Sequence, residues 1–344
     1  MAALSRALVL AWAVSAPFSG PATDLQPGVY ALLTQEFKFS PEDIADLERG
    51  KVIKRGLDAS SPGEVAAVGA VRVRASRELL LERYRDIAQF KRGPNVPEVG
   101  RFSHIPTLDD LAGLTIGPQD VDVRTCRVGR CDIRLSAEAI GRFQREIDWK
   151  AKDADQRAAA LFKQLLFEHV RAYVSGGVGR ITQYDDERRA VHPLEEFAGL
   201  LKNAPYLRVV APGLPEHLRE FPASPLPGAE DFLYWSKEKF GLAPFISVTH
   251  VTLVPGTPGN TIIASRDVYS SRYFDASLTL TVASDSVSDT GAFYLVYSNR
   301  SRADGLKGAL GSLRRTIAER RAKGSLDENL RNVKNRLEST LPVK

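Results

Sequence analysis

The residues of this chain that could do chemistry are five histidines, several adjacent carboxylates, one glycine-rich run, two cysteines and the tyrosines of the last third. His104, His169, His192, His217 and His250 sit at no HExxH or other paired ligand spacing, so no metal centre is expected. His169 follows an apolar helical stripe and reads as a core or interface residue. His250 lies mid-strand in VTHVT, where it either lines a cavity or is a buried, hydrogen-bonded structural group. Asp109/Asp110, Asp185/Asp186 and Glu195/Glu196 are sequence neighbours. Neighbours on a helix do not face each other, so these pairs imply no general acid and base. Ser175 to Arg180 (SGGVGR) looks like a phosphate cradle, but it follows a helix rather than a strand and lacks the Lys-Ser/Thr of a P-loop. It reads as a helix C-cap and turn. There is no GxSxG elbow. The sequence names no catalytic residue and no cofactor, and an enzyme is the less favoured reading.

Cys126 and Cys131 lie in VDVRTCRVGRCDIRL. Strand-like flanks around Gly129 suggest a hairpin whose thiols face each other, which an oxidising compartment would join. Closing so short a loop contributes only about 2 kcal/mol in the chain-entropy model. Two thiols alone cannot complete a zinc site. The tyrosines are more suggestive. Tyr234, Trp235, His250, Tyr269, Tyr273, Phe274, Tyr294 and Tyr297 fall on or near expected strands. A tyrosine with its polar tip inside a concave apolar surface would orient an amphipathic ligand, whereas ordinary core and rim packing is the alternative. The candidate ligand-binding set is Trp235, His250, Arg266, Tyr269, Tyr273, Tyr294 and Tyr297.

These residues need a sheet to hold them. Phe245 to Val254 is rich in β-branched residues, PGTPGN follows as turn chemistry, and Thr261 to Tyr269 is a second strand. From Arg272 to Val282, Phe274, Ala276, Leu278, Leu280 and Val282 alternate with polar residues, which predicts a half-buried antiparallel strand. Ala292 to Ser298 is the next strand. The period then changes. Ser301 with Asp304 reads as a capping box, and Leu306, Leu310, Leu313 and Ile317 form one helical stripe. Leu326, Leu330, Val333 and Leu337 form another beyond Gly324-Ser325, so the terminus is one kinked helix or two. The expected class is α+β: a curved antiparallel sheet wrapped around a long C-terminal helix.

Upstream, Ser40-Pro41-Glu42-Asp43 starts a helix that Gly50 ends. Lys51 to Leu57 and Glu64 to Arg74 read as strands, and Ser76 caps a helix from Arg77 to Phe90. The run VAAVGAVRVRASRELLLERYRDIAQFKRGPNVPEV resembles the opening of the START and polyketide-cyclase (SRPBCC) superfamily. The likeness lies in a strand entering a helix that carries Asp86, followed by Asn95 to Val99. It extends over about residues 51–100 and 244–323. It implies a helix-grip fold, and with it a cavity for a hydrophobic ligand. The sequence departs from that family in a helical insertion. Ser136 caps Ala137 to Lys150, Asp155 to Val174 is strongly amphipathic, Pro193 opens a further helix, and 212–227 is proline-rich. Glu230 to Phe240 fits strand or helix equally. The expected organisation is a signal peptide (1–22), an N-terminal linker and short helix (23–50), the first part of the helix-grip domain (51–135), the insertion (136–229), and the remaining strands with the C-terminal helix (230–344).

The net charge of +5 comes from 47 basic and 42 acidic residues interspersed along the 344, which argues against nucleic acid as a partner. Arg6 followed by the apolar run Ala7 to Ala16 reads as a secretory signal, with cleavage after Ala16 or Ala22, and points to an exported protein, periplasmic or secreted. That run is about half the ~20 residues needed to span a bilayer. The sequence therefore suggests an exported binding or transport protein for a hydrophobic or amphipathic, lipid-like small molecule. Peripheral membrane contact is compatible with that role, and no protein partner is named. A cyclase- or hydrolase-like enzyme on the same fold, or a non-catalytic interaction module, are the alternatives.

Overall fold

Runs rich in valine, isoleucine and threonine suit a pleated surface, and here they become strands. The computed structural model describes residues 23–59, 61, 63–240, 243–256, 258–303, 306 and 311–339; the side chains of 240, 255, 311–318 and 321 lie outside that description, as does the expected signal peptide. The strands are β1 (Ile53–Gly56), β2 (Glu64–Val73), β3 (Glu98–Arg101), β4 (Glu230–Phe240), β5 (Ala243–Pro255), β6 (Asn260–Ser270), β7 (Ala276–Asp285) and β8 (Phe293–Arg302). They form one curved sheet in the order β1-β2-β8-β7-β6-β5-β4-β3, antiparallel throughout. β2 from the early part of the chain pairs with β8 from the late part, so both ends build one surface. Glu230 to Phe240 is a strand, which resolves its ambiguity.

The helices are α1 (Pro27–Ala31), α2 (Pro41–Glu48), α3 (Arg77–Arg85), α4 (Ile87–Lys91), α5 (Ala137–Glu146), α6 (Ala154–Gly176), α7 (Pro193–Lys202), α8 (Tyr206–Val210), α9 (Leu214–Glu220) and α10 (Gly311–Glu338). At α2 the Ser40 hydroxyl accepts from the Asp43 N–H and Asp43 accepts from the Ser40 N–H, the reciprocal cap that the residue types predict. The helix expected from Arg77 to Phe90 breaks at Asp86, whose ψ of 57° leaves the helical region. Gly177 closes α6 at φ 71°, a conformation that side chains resist, so the glycine-rich run is a C-cap. α10 is one helix, continuous through Gly324-Ser325.

Several expectations change. Ser301 belongs to β8, where its hydroxyl bonds Asn299 and Ser277, so it caps no helix; Asp304 lies outside the described residues. Of the first leucine stripe, Leu306 sits in a short turn, Leu310 lies outside the description, and so do the side chains of Leu313 and Ile317. The second stripe supplies the described packing: Leu326, Leu330 and Leu337 are buried against Val71, Val73, Phe293 and Leu295. β7 is buried on both faces rather than half-buried: Ala276, Leu278, Leu280 and Val282 pack under the 136–229 segment and the N-terminal helices, and Ser277, Thr281 and Ala283 on the α10 side are buried as well. Tyr273 and Phe274 precede the strand, Tyr273 in a left-handed bend at φ 66°. The cysteines are disulfide-bonded, but their flanks are not strands, and one bridge between Arg127 and Arg130 is the local pairing. The stretch expected as a linker is core: Leu25, Val29, Leu32, Leu33 and Phe37 are buried.

Two covers therefore lie on opposite faces. One carries α10 over β1 and β2, α3 across the end of β7, where Leu80 joins the α10 leucines, and α4 toward β3. The other carries the N-terminal helices and all five insertion helices. α10 approaches β2 closely at Gly69, where an added Cβ would lie 2.8 Å from Leu330 Cδ1. Truncating a leucine in such a contact leaves a cavity, so Leu330→Ala is expected to lower the unfolding free energy by about 2–5 kcal/mol. Urea denaturation measures this, and an unchanged midpoint would contradict the packing described.

Candidate functional site

Side chains alternate across a strand, so position parity decides which cover each residue meets. The expected ligand-binding set is divided by that rule. Trp235, His250, Arg266, Tyr269 and Tyr294 face the insertion and the N-terminal helices, and Tyr297 faces α10. Tyr273 stands at the sheet end, its hydroxyl donating to Ala243 O at 2.9 Å.

On the insertion face the polar groups are committed to one another. Asp231 Oδ1 accepts from His250 Nε2 (2.9 Å), Thr252 Oγ1 (2.7 Å) and His217 Nε2 (3.1 Å). Carboxylates only accept, so His250 must donate through Nε2, and its Nδ1 accepts from the Tyr173 hydroxyl at 2.8 Å. Burial holds His250 below the usual histidine range against the pull of Asp231, consistent with that neutral tautomer. His217 differs, because both its nitrogens meet acceptors, Asp231 and the Ser224 carbonyl at 2.8 Å. Only the charged ring satisfies both. Burial opposes the charge, but Asp231 and Ser224 outweigh it and His217 is raised. Burial also works against the Asp231 carboxylate, and the donors reverse it to well below the usual range. Arg266, 1% exposed, donates to Leu218 O at 2.8 Å and lies 3.9 Å over the Phe197 ring. Trp235 donates to Asp110 O, Tyr269 to Arg134 O and Tyr294 to Asp24. These bonds fasten the covering segments to the sheet.

The α10 face is different. Register places Tyr234, Thr249 and Asp267 on one rung across β4–β6, and Leu253, Ile263, Thr281 and Tyr297 on another across β5–β8. Between them runs Val251, Ser265, Thr279 and Asn299. Apolar rungs thus give way to hydroxyls and charge. At one edge the Lys91 ammonium, at the end of α4, donates to Glu238 (2.6 Å), Tyr234 Oη (3.1 Å) and Ser236 (3.4 Å). Burial pulls Lys91 down, but Glu238 and Tyr234 more than reverse this. Burial likewise penalises the Glu238 carboxylate, and Lys91 outweighs it. Asp267 accepts from Thr249 at 3.1 Å, and no cation touches it among the described residues. Burial pushes it up to about 6, with Lys91 and Glu238 acting on it in opposite directions. Burial also raises the Tyr84 and Tyr297 phenols.

Asp267, Ser265, Thr279 and Tyr297 occupy middle strands, flanked by α10 and α3 on one side and α4 on the other, yet all stay partly exposed. The face is therefore only partly covered there, with polar tips beside the buried Ile87, Val251 and Ile263. The described residues contain no group of side chains able to hold a metal ion. Lys91, Glu238, Asp267, Thr249 and Tyr84 were not expected in the site. The signal in the sequence was the β4 face Phe232, Tyr234, Ser236, Glu238, which turns polar partway along a buried strand.

No family model and no curated protein matches the sequence. Among solved structures the chain is similar to the STAR-related lipid transfer protein (fragment 25-204) from Xanthomonas axonopodis, at 8% identity. The alignment covers 83% of this chain and 93% of that one, with a TM-score of 0.39.

Asp267 gives the site a pH signature. Its folded pKa is raised from 3.8 to about 6, so the stability it contributes is complete below about pH 4 and is lost as pH rises through 6. Asp267→Asn removes that titration. Relative to the variant, the natural protein is expected to lose stability between pH 4 and 6, by roughly 1–3 kcal/mol, as read from urea midpoints. Parallel curves would show that Asp267 is not held on this partly covered face.

Proposed function

We propose that the protein binds one amphipathic, lipid-like molecule in a recess between α10 and α3 on one side and α4 on the other. The observation that carries this reading is the polar middle of the sheet left partly exposed between two helical covers. An apolar body would leave water for the Val251–Ile263 wall, at about 25 cal/mol per Å². Lys91 and Glu238 neutralise each other, which leaves Asp267 with an oxygen open to a donor. A phosphate or carboxylate head would add like charge beside it, so a hydroxyl or amine end suits the site better. In this reading Tyr297 lines the recess, whereas Trp235, His250, Arg266, Tyr269 and Tyr294 support it from the opposite face and Tyr273 stands at the sheet end. We also infer a helix-grip domain of the START and polyketide-cyclase kind, interrupted by the insertion at 136–229. The disulfide supports export, and no described helix is long and apolar enough to cross a membrane.

One observation favours catalysis as a second reading: Asp267, at about 6, is poised near neutrality as a general base would be. That reading requires a turnover that Asp267→Asn abolishes while ligand uptake persists. An interaction module docking through its helical insertion requires an exposed apolar patch on 137–205. The large apolar side chains that are exposed among the described residues, Ile105, Leu108, Val128, Val209 and Val287, lie elsewhere.

The test is detergent-free purification, organic extraction and mass spectrometry. A co-purifying apolar molecule with a hydroxyl or amine is expected. Thr279→Trp, which fills the recess from β7, is expected to remove it. Retention of the same molecule by Thr279→Trp, or an empty natural protein that takes up no long-chain alcohol, would contradict the proposal.

A further inference from the structure

A cavity of about 260 Å³ lies on the opposite face, between α5, α6 and the 180–184 segment. Its floor is apolar and aromatic, with Leu135, Phe162, Leu166 and Tyr269 among its walls. Most polar groups around it are already used. The Tyr269 hydroxyl donates to Arg134 O, Arg134 pairs with Asp275 and Asp186, and Arg142 pairs with Glu146 and Glu168. Glu138 is at the rim, in the first turn of α5, where the helix dipole favours an acid.

Besides the exposed Thr182 hydroxyl at the rim, two groups are left over. His169 Nε2 lies 3.1 Å from the Val268 carbonyl. A carbonyl only accepts, so Nε2 carries the hydrogen and, in the neutral ring, Nδ1 carries the lone pair. Burial lowers His169, favouring that neutral form. Nδ1 has no partner among the described residues, and it is not sealed away as the buried unpartnered atoms elsewhere are. The second group is the exposed Arg180 guanidinium, which has no acidic partner among the described residues. It packs against Gly176, seven residues beyond His169 and hence ~10 Å along α6.

We propose that this cavity is a binding site for a small hydroxylated aromatic acid, its ring on the Phe162–Tyr269 floor, its hydroxyl donating to His169 Nδ1 and its carboxylate meeting Arg180. The volume suits a single ring rather than a lipid, so the site is separate from the recess beneath α10. Nothing in this inference depends on what the recess holds.

The test uses isothermal titration of the full chain with 4-hydroxyphenylacetate and with phenylacetate. Saturable binding of the hydroxylated acid is expected, at least about fivefold tighter than of phenylacetate. Arg180→Ala, at an exposed position that folding does not need, is expected to weaken it about tenfold. His169→Gln keeps a donor for Val268 but loses the ring lone pair, and is expected to abolish the preference for the hydroxyl. No saturable binding, equal affinity for the two acids, or a titration unchanged by Arg180→Ala would each overturn the proposal. If His169→Gln fails to fold, the comparison of the two acids and Arg180→Ala decide the matter.

Discussion

One carboxylate oxygen organises the closed side of this protein. Asp231 Oδ1 takes hydrogen bonds from β5, through His250 and Thr252, and from α9, through His217. His250 relays the constraint to α6 through Tyr173. A buried charge is tolerated when its bonds are satisfied and costly when one partner is lost. The network therefore fixes where the insertion sits on the sheet and leaves little freedom there for a guest. Phe221 against the His250 ring, at 4.4 Å between centroids, and Arg266 over Phe197 complete the seal.

The opposite face obeys the opposite rule. α10 and α3 cover part of it with one leucine cluster, α4 adds Ile87, and beside them the rungs turn polar. A core that needed only stability would place apolar residues at Ser265, Asp267 and Thr279, because burying a carboxyl without a counter-ion is unfavourable. Asp267 is held up to about 6 as a result. An unfavourable group on a partly exposed inner surface is what the proposed site requires.

Much of the architecture was legible. Period two marked the late strands, and the residue types at Ser40 to Asp43 and at Gly177 located helix ends whose bonds are present. Parity could also have divided the candidate residues: Tyr294 and Tyr297 are three apart on one strand and must face opposite ways. Choosing tyrosines by type ignored that. Two things were hidden. The two-sided burial of β7 depends on covers that come from distant segments. The meeting of Thr249 with Asp267 depends on a register shift between Val248 and Thr249, where β5 opposes Val248 to Tyr269 and Thr249 to Asp267. A bulge resets the phase of a strand, and nothing in the local pattern announces it.

The central claim is that the α10 face holds a lipid-like guest while the sealed network around Asp231 on the insertion face does not. The most direct measurement is a crystal structure of the protein with a long-chain bromoalkanol, locating bromine by its anomalous signal. The account predicts a bromine peak between α10 and β5–β7, with the alcohol oxygen within hydrogen-bond distance of Asp267. A bound alcohol seated instead among α6, α9 and β5, or a recess that stays without bromine at saturating ligand, would contradict it.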